Sequence, residues 1–168
     1  MSASLYVSTA AQFVRGLQNL SALLEKGAKW AKEKGLSEEA VLNSRLAEDM
    51  YPLARQVQIA SDMAKGAVAR LAGVTAPSME DNEKTFAELQ TRITNTIAFI
   101  DSIKAEQLEG DDSRPILLKT RTKEYNFTAQ SYVLSFAVPN VFFHITTAYN
   151  ILRHEGVPLG KSDYLGQA

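Results

Sequence analysis

Hydrophobic residues recur every three or four positions along most of the chain, which is the repeat of one face of an α-helix. Four segments show this repeat, over residues 5–34, 37–73, 78–103 and 128–156, and Ser37 and Ser78 are expected to cap the second and third helices. Helices with such a stripe bury it against other helices. The pattern therefore predicts an all-α fold, a four-helix bundle whose connections are mostly short.

The second segment carries two polar residues at the edge of its hydrophobic stripe. A continuous helix would place Asp49 and Gln56 two turns apart on the same face, although Pro52 between them is expected to kink or split the helix. A carboxylate in that position can bind a metal or act as a base. It can equally form an ion pair with Arg45 or Arg55, as acids at a core edge commonly do.

The connection before the last helix has a different pattern. Apolar and polar residues alternate around Ile116 and Leu118, and residues with strand preference follow at Thr120, Tyr125 and Phe127. This predicts a short hairpin or extended insertion over residues 115–127.

The last segment is the most apolar part of the chain. It has no charged residue between Glu124 and Arg153, and its polar interruptions favour burial in a core over a membrane. Pro139 is expected to kink the helix, and Gly156 followed by Pro158 to end it.

Asn140 and His144 lie four residues apart in this helix, so their side chains point to the same face. That spacing lets two side chains reach one metal ion or one polar ligand. The alternative is a core histidine that is hydrogen-bonded within the protein, because buried polar groups usually find protein partners.

Composition narrows the classes of function. The chain has 168 residues, a formal net charge of -1 and no cysteine. This length predicts a single domain over residues 1–168. Balanced charge argues against nucleic-acid and anionic-membrane partners. The lack of cysteine and of a convincing signal peptide fits a cytoplasmic protein.

The ending HITTAYNILRHEG, with the stretch RLAEDMYPLARQVQIASDMAKGAVARLAG, resembles an uncharacterised bacterial domain family within the DinB/YfiT-like superfamily of metalloenzymes. The resemblance covers nearly the whole chain. It implies a four-helix bundle, often dimeric, with an open metal site between helices. A homodimer and a divalent metal, zinc or nickel, are therefore expectations, and a metal-free site is the alternative.

The resemblance also shows where this chain departs from the superfamily. The superfamily holds its metal with one histidine on the second helix and two histidines, four residues apart, on the last. Leu152, Arg153 and Gly156 match the superfamily's ending, and His144 matches the second histidine of the pair. Asn140 stands where the first should be, and the second helix has no histidine. Amide oxygens are weaker ligands for zinc and nickel.

Two hypotheses of function follow. In the first, Asp49, Gln56, Asn140 and His144 line one inter-helix pocket for a small molecule, with His144 and Asp49 as metal ligands or as acid and base. In the second, the protein is a non-catalytic binding or dimerisation module with a core histidine and an apolar patch formed by Trp30, Tyr6 or Tyr164.

Overall fold

A computed structural model describes residues 4–120 and 122–166. The described residues are mostly helical, and a single hairpin accompanies the helices. The helices are α1 (Gln12–Lys34), α2 (Glu38–Leu42), α3 (Leu53–Ala72), α4 (Phe86–Asp101), α5 (Ala105–Leu108), α6 (Ala129–Tyr132), α7 (Val138–Glu155) and α8 (Lys161–Leu165). Two π-helical segments, Val7–Ala11 and Val133–Ala137, lead into α1 and α7. No helix in this part of the chain is long and apolar enough to cross a membrane.

The four long helices, α1, α3, α4 and α7, enclose the hydrophobic core. Both α1 and α3 pack against α4 and α7. Gly16 lies beside Ile145, and Gly27 lies beside Leu152, so α1 and α7 run in the same direction. Gln56, at the start of α3, contacts His144 in the middle of α7, and Arg70, near the end of α3, contacts Tyr132, which precedes α7. These two helices are therefore antiparallel. The described residues are thus mostly helical, as expected, but they form four long and four short helices, and a count of four helices is not confirmed.

The second predicted helix begins later than its pattern indicated. Only Glu38–Leu42 is helical at its start, capped by the Ser37 hydroxyl as predicted, and residues 43–52 form an irregular turn before α3. Pro52 stands immediately before α3, where its missing N–H costs nothing. The prediction that Asp49 lies on a helical face with Gln56 was therefore wrong.

The third predicted helix also starts later. A cap at Ser78 was expected, but α4 begins at Phe86, where Thr85 and Glu88 form a reciprocal capping box. Residues 73–85 run instead as an irregular strap along α3 and α4. Asp81 and Glu83 of this strap bind the buried Arg92 of α4, and Asp81 also binds the partly exposed Arg55 of α3.

The last helical stretch accommodates Pro139 through a π-helical turn. The Val138 N–H donates to the Val133 carbonyl, five residues back, in the turn that precedes the proline. The buried residues of this stretch recur every four positions: Ala129, Val133, Ala137, Val141 and Ile145. This repeat is longer than the 3.6 residues of an α-helical turn, and the wider π-helical turn helps to keep these side chains on one face. Gly156 ends the helix with a positive φ of 103°, as predicted.

The predicted hairpin is present. Strands β1 (Pro115–Lys119) and β2 (Glu124–Thr128) pair in antiparallel fashion, with Ile116 opposite Phe127 and Leu118 opposite Tyr125. Ile116 and Leu118 are buried, so one face of β1 closes the end of the core near α6.

Candidate functional site

Helices α3 and α7 meet at a buried pair of polar side chains. Gln56 lies in the first turn of α3 and is 2% exposed; His144 lies in the middle of α7 and is 9% exposed. The His144 Nδ1 and Gln56 Oε1 atoms are 2.7 Å apart. Gln56 Nε2 in turn donates to the backbone carbonyl of Tyr51, 3.0 Å away in the turn before α3.

This short chain of hydrogen bonds determines where the imidazole proton resides. A backbone carbonyl only accepts hydrogen bonds, so the amide NH2 of Gln56 must face Tyr51 and its oxygen must face His144. An amide oxygen also only accepts, so the proton of a neutral His144 is on Nδ1. The lone pair of His144 Nε2 is then free.

His144 Nε2 is not completely buried. No described residue is hydrogen-bonded to it. Among the described residues, the fully buried side-chain polar atoms without a partner are Ser61 Oγ and Arg92 Nε, and Nε2 is not one of them. Its edge is therefore open to a ligand that carries a hydrogen-bond donor.

The surroundings keep His144 neutral. Burial lowers the pKa of His144, and the positive charge of nearby Arg55 lowers it further. The Arg55 guanidinium lies 5.8 Å from the centre of the Tyr51 ring, and the Phe143 ring meets the imidazole edge to face at 5.1 Å. Both Tyr51 and Phe143 are more than half exposed, at 58% and 57%. The open side of the site is thus aromatic.

The structure brings together two of the four residues singled out from the sequence. Asn140 is half-buried on α7, one turn before His144, and Asp49 is exposed in the irregular turn before α3. Within residues 4–120 and 122–166, neither side chain takes part in a hydrogen bond or an ion pair. Arg55, one of the expected partners of Asp49, is paired with Asp81 instead.

Two comparisons place this fold and sequence among known proteins. The DUF1993 family, a domain of unknown function, matches residues 5–165. The chain belongs to this family. A search of curated proteins found no match.

The DUF1993 chain is also similar to a solved structure. The crystal structure of a DinB family member protein from Shewanella denitrificans is 41% identical, with a TM-score of 0.89. The match covers 98% of this chain and 93% of that one. The expected membership of an uncharacterised DinB-like family is confirmed.

A zinc or nickel centre of the superfamily type does not fit the residues of this DUF1993 domain. Such centres use three or more imidazole, thiolate or carboxylate ligands. The described residues contain no group of three His, Cys, Asp or Glu side chains that could hold a metal. His144 contributes one free nitrogen, while the Gln56 amide is already hydrogen-bonded on both sides. Ligation by His144 and Asp49 stays a prediction.

Sequence reasoning missed Tyr51 and the role of Arg55. Helical periodicity describes faces of helices, but the Tyr51 carbonyl belongs to an irregular turn and acts through its backbone. Arg55 reaches the site only because α3 begins at Leu53. The one available signal was Pro52, which marks a helix start as readily as a kink.

Proposed function

We propose that this DUF1993 protein binds a small molecule between α3 and α7, and that neutral His144 accepts a hydrogen bond or a proton from it through Nε2. The observation that supports this is the buried chain from His144 Nδ1 to Gln56 and on to the Tyr51 carbonyl, 2.7 Å and 3.0 Å long. This chain fixes the neutral tautomer of His144 and leaves Nε2 without a partner among the described residues, so a ligand with a hydrogen-bond donor can supply one.

The proposed chemistry is that of a weak, reversible base. Nε2 accepts a proton or a hydrogen bond from an N–H or O–H group of the ligand, and Phe143 and Tyr51 offer aromatic surface to its carbon skeleton. Burial and Arg55 disfavour the imidazolium, so His144 readily returns the proton. No resident metal enters this proposal. The chain lacks cysteine, which fits a reducing compartment such as the cytoplasm.

Nitrogen NMR on protein labelled at histidine tests the proposal. We expect His144 to show a protonated Nδ1 and an unprotonated Nε2 at pH 7. Small fragments with a hydrogen-bond donor should shift the Nε2 resonance of His144 and leave His154, at the exposed end of α7, unchanged. The His144→Ala variant assigns the signals. A proton on Nε2, or fragments that never affect His144, would contradict the proposal.

Metal analysis distinguishes this proposal from the alternative in which His144 and Asp49 bind a metal ion. Tag-free protein is analysed as purified and after incubation with zinc, nickel and manganese, beside the His144→Ala and Asp49→Ala variants. The proposal expects no stoichiometric metal in any sample. Roughly one metal per chain, lost in both variants, would favour metal-assisted chemistry instead.

An apolar surface supports a second candidate, a dimerisation module. Leu134, Phe143 and Val7 are 61%, 57% and 56% exposed, which is unusual for large apolar side chains. Trp30, Tyr6 and Tyr164, the expected patch residues, are instead half-buried against the core. Sedimentation velocity at micromolar concentration should show a dimer that Phe143→Ser weakens and Leu36→Ser does not. A strict monomer excludes this candidate.

A further inference from the structure

A second ligand site lies on the other side of α7 from the Gln56–His144 pair. We propose that the cleft between α1, α7 and α8 binds a small amphipathic carboxylate, with Arg15 holding the carboxylate and the α7 wall holding the apolar part. This site is independent of the proposed role of His144.

The cleft has a volume of about 290 Å³ and two kinds of wall. Polar side chains of α1 form one, and apolar side chains of α7 and α8 form the other: Arg15, Asn19, Phe142, Ile145, Tyr164 and Leu165. Ligand pockets begin at about 300 Å³, so this one suits a molecule smaller than a typical cofactor.

Arg15 supplies a positive charge that has no ionic partner among residues 4–120 and 122–166. Its guanidinium donates one hydrogen bond, 3.2 Å long, to the Leu165 carbonyl. No ion pair in the described part of the chain involves Arg15. A guanidinium has five N–H donors, so four remain for a ligand, and its planar fork matches a carboxylate.

The apolar wall is fixed by the close packing of α1 on α7. Gly16 is buried, and a Cβ atom there would lie 3.1 Å from Ile145 Cδ1 and 3.2 Å from Phe142 Cε1. A larger residue would displace these two side chains. The glycine thus leaves room for Phe142 and Ile145, which line the cleft together with Arg15.

The α8 wall is held in place by contacts with both long helices. The Asn19 amide donates to the Tyr164 carbonyl at 3.1 Å, and the Thr146 hydroxyl donates to the Tyr164 hydroxyl at 2.9 Å. Asp163, the acid of α8, is paired with Lys26. The nearest carboxylate of this wall is therefore neutralised and does not repel an anionic ligand.

Calorimetric titration with hexanoate, hexanamide and acetate tests the site. We expect saturable one-to-one binding of hexanoate. Hexanamide should bind about tenfold more weakly, because it lacks the charge-assisted hydrogen bonds, and acetate should bind more weakly because it lacks the apolar chain.

Three variants locate the binding. Arg15→Gln should lose about tenfold in hexanoate affinity. Lys29→Gln removes the same charge from an exposed position further along α1 and should have no effect. His144→Ala should also leave hexanoate binding unchanged, which separates this site from the one between α3 and α7. Equal hexanoate affinity in wild type and Arg15→Gln, equal binding of hexanamide, or the absence of saturable binding would overturn the proposal.

Discussion

At the scale of single residues, the Gln56 amide decides the state of His144. The imidazole could hold its proton on either nitrogen, but the Tyr51 carbonyl orients the amide, and the amide oxygen then selects Nδ1. One backbone atom in an irregular turn thereby controls which nitrogen of His144 carries the proton.

Changing Gln56 to Glu should raise the pKa of His144. A carboxylate facing Nδ1 stabilises the imidazolium and opposes both burial and the charge of Arg55. A proton NMR titration of the His144 ring signals measures the shift directly. Gln56→Leu, which removes the acceptor without adding a charge, is the matched control. An unchanged or lowered pKa in Gln56→Glu would show that the two side chains are not in contact in solution.

His144 should also make stability depend on pH. Its pKa is lowered in the folded state, so the unfolded chain binds a proton first as the pH falls through about 6.5. The free energy of unfolding therefore decreases from about pH 7 downwards until the folded state also binds the proton. Urea denaturation at a series of pH values checks this. In His144→Phe the decrease over that range should be smaller, and an identical decrease would assign it to other groups.

At the scale of helices, close packing explains one internal glycine and does not explain another. Gly27 of α1 is buried against α7, and a Cβ atom there would lie 2.9 Å from Leu152 Cδ2. Gly66 of α3 has open space in front of it, with no atom within 4 Å of a Cβ. The sequence shows only that both weaken their helices. The structure shows that close helix packing requires one and not the other.

Substitution by alanine should therefore have opposite effects at the two glycines. Gly66→Ala should stabilise the protein by about 0.5–1 kcal/mol, the usual gain in helix propensity. Gly27→Ala gains the same propensity but overpacks the contact with α7, at a cost of about 1–3 kcal/mol, so net destabilisation is expected. Urea denaturation of both variants compares them. A stabilising Gly27→Ala would mean that Leu152 moves aside freely.

At the scale of the whole molecule, an ion network fastens the strap of residues 73–85 to the helices. The Arg92 side chain is 1% exposed and binds Asp62, Asp81 and Glu83 at 2.8–2.9 Å. Burial works to lower the pKa of Arg92, but the hydrogen bonds and charges of Glu83 and Asp62 raise it overall. Arg92 lies outside the apolar stripe of its helix, where charges are usually solvated, so its burial is visible only in the packed fold.

Arg92→Met should destabilise the fold by about 3 kcal/mol, because Glu83 loses its cation in a mostly buried position, whereas Asp62 and Asp81 keep Lys65 and Arg55. Lys119→Met breaks the exposed pair with Glu124 and should cost no more than about 1 kcal/mol. Chemical denaturation measures both. Equal, small effects would show that the strap is not held by Arg92.

The sequence alone determined the elements whose signals are local. Stripes at helical spacing identified the long helices, Ser37 marked the start of the short helix α2, Gly156 marked the end of α7, and alternation around Ile116 indicated the hairpin. The resemblance of the last helix identified the family. These signals are local because helix caps and burial patterns depend on neighbouring positions.

Tertiary structure decided what depends on contacts between distant residues. The course of residues 73–85 is one example, because Asp81 and Glu83 of this strap bind Arg92 of α4. The pairing of Gln56 with His144 also depends on tertiary structure, since the two residues lie 88 positions apart. The Gln56 amide selects the His144 tautomer only because the Tyr51 carbonyl orients it. Hydrogen bonds and charges between distant segments have no periodic signature in the sequence, so only the packed fold could show them.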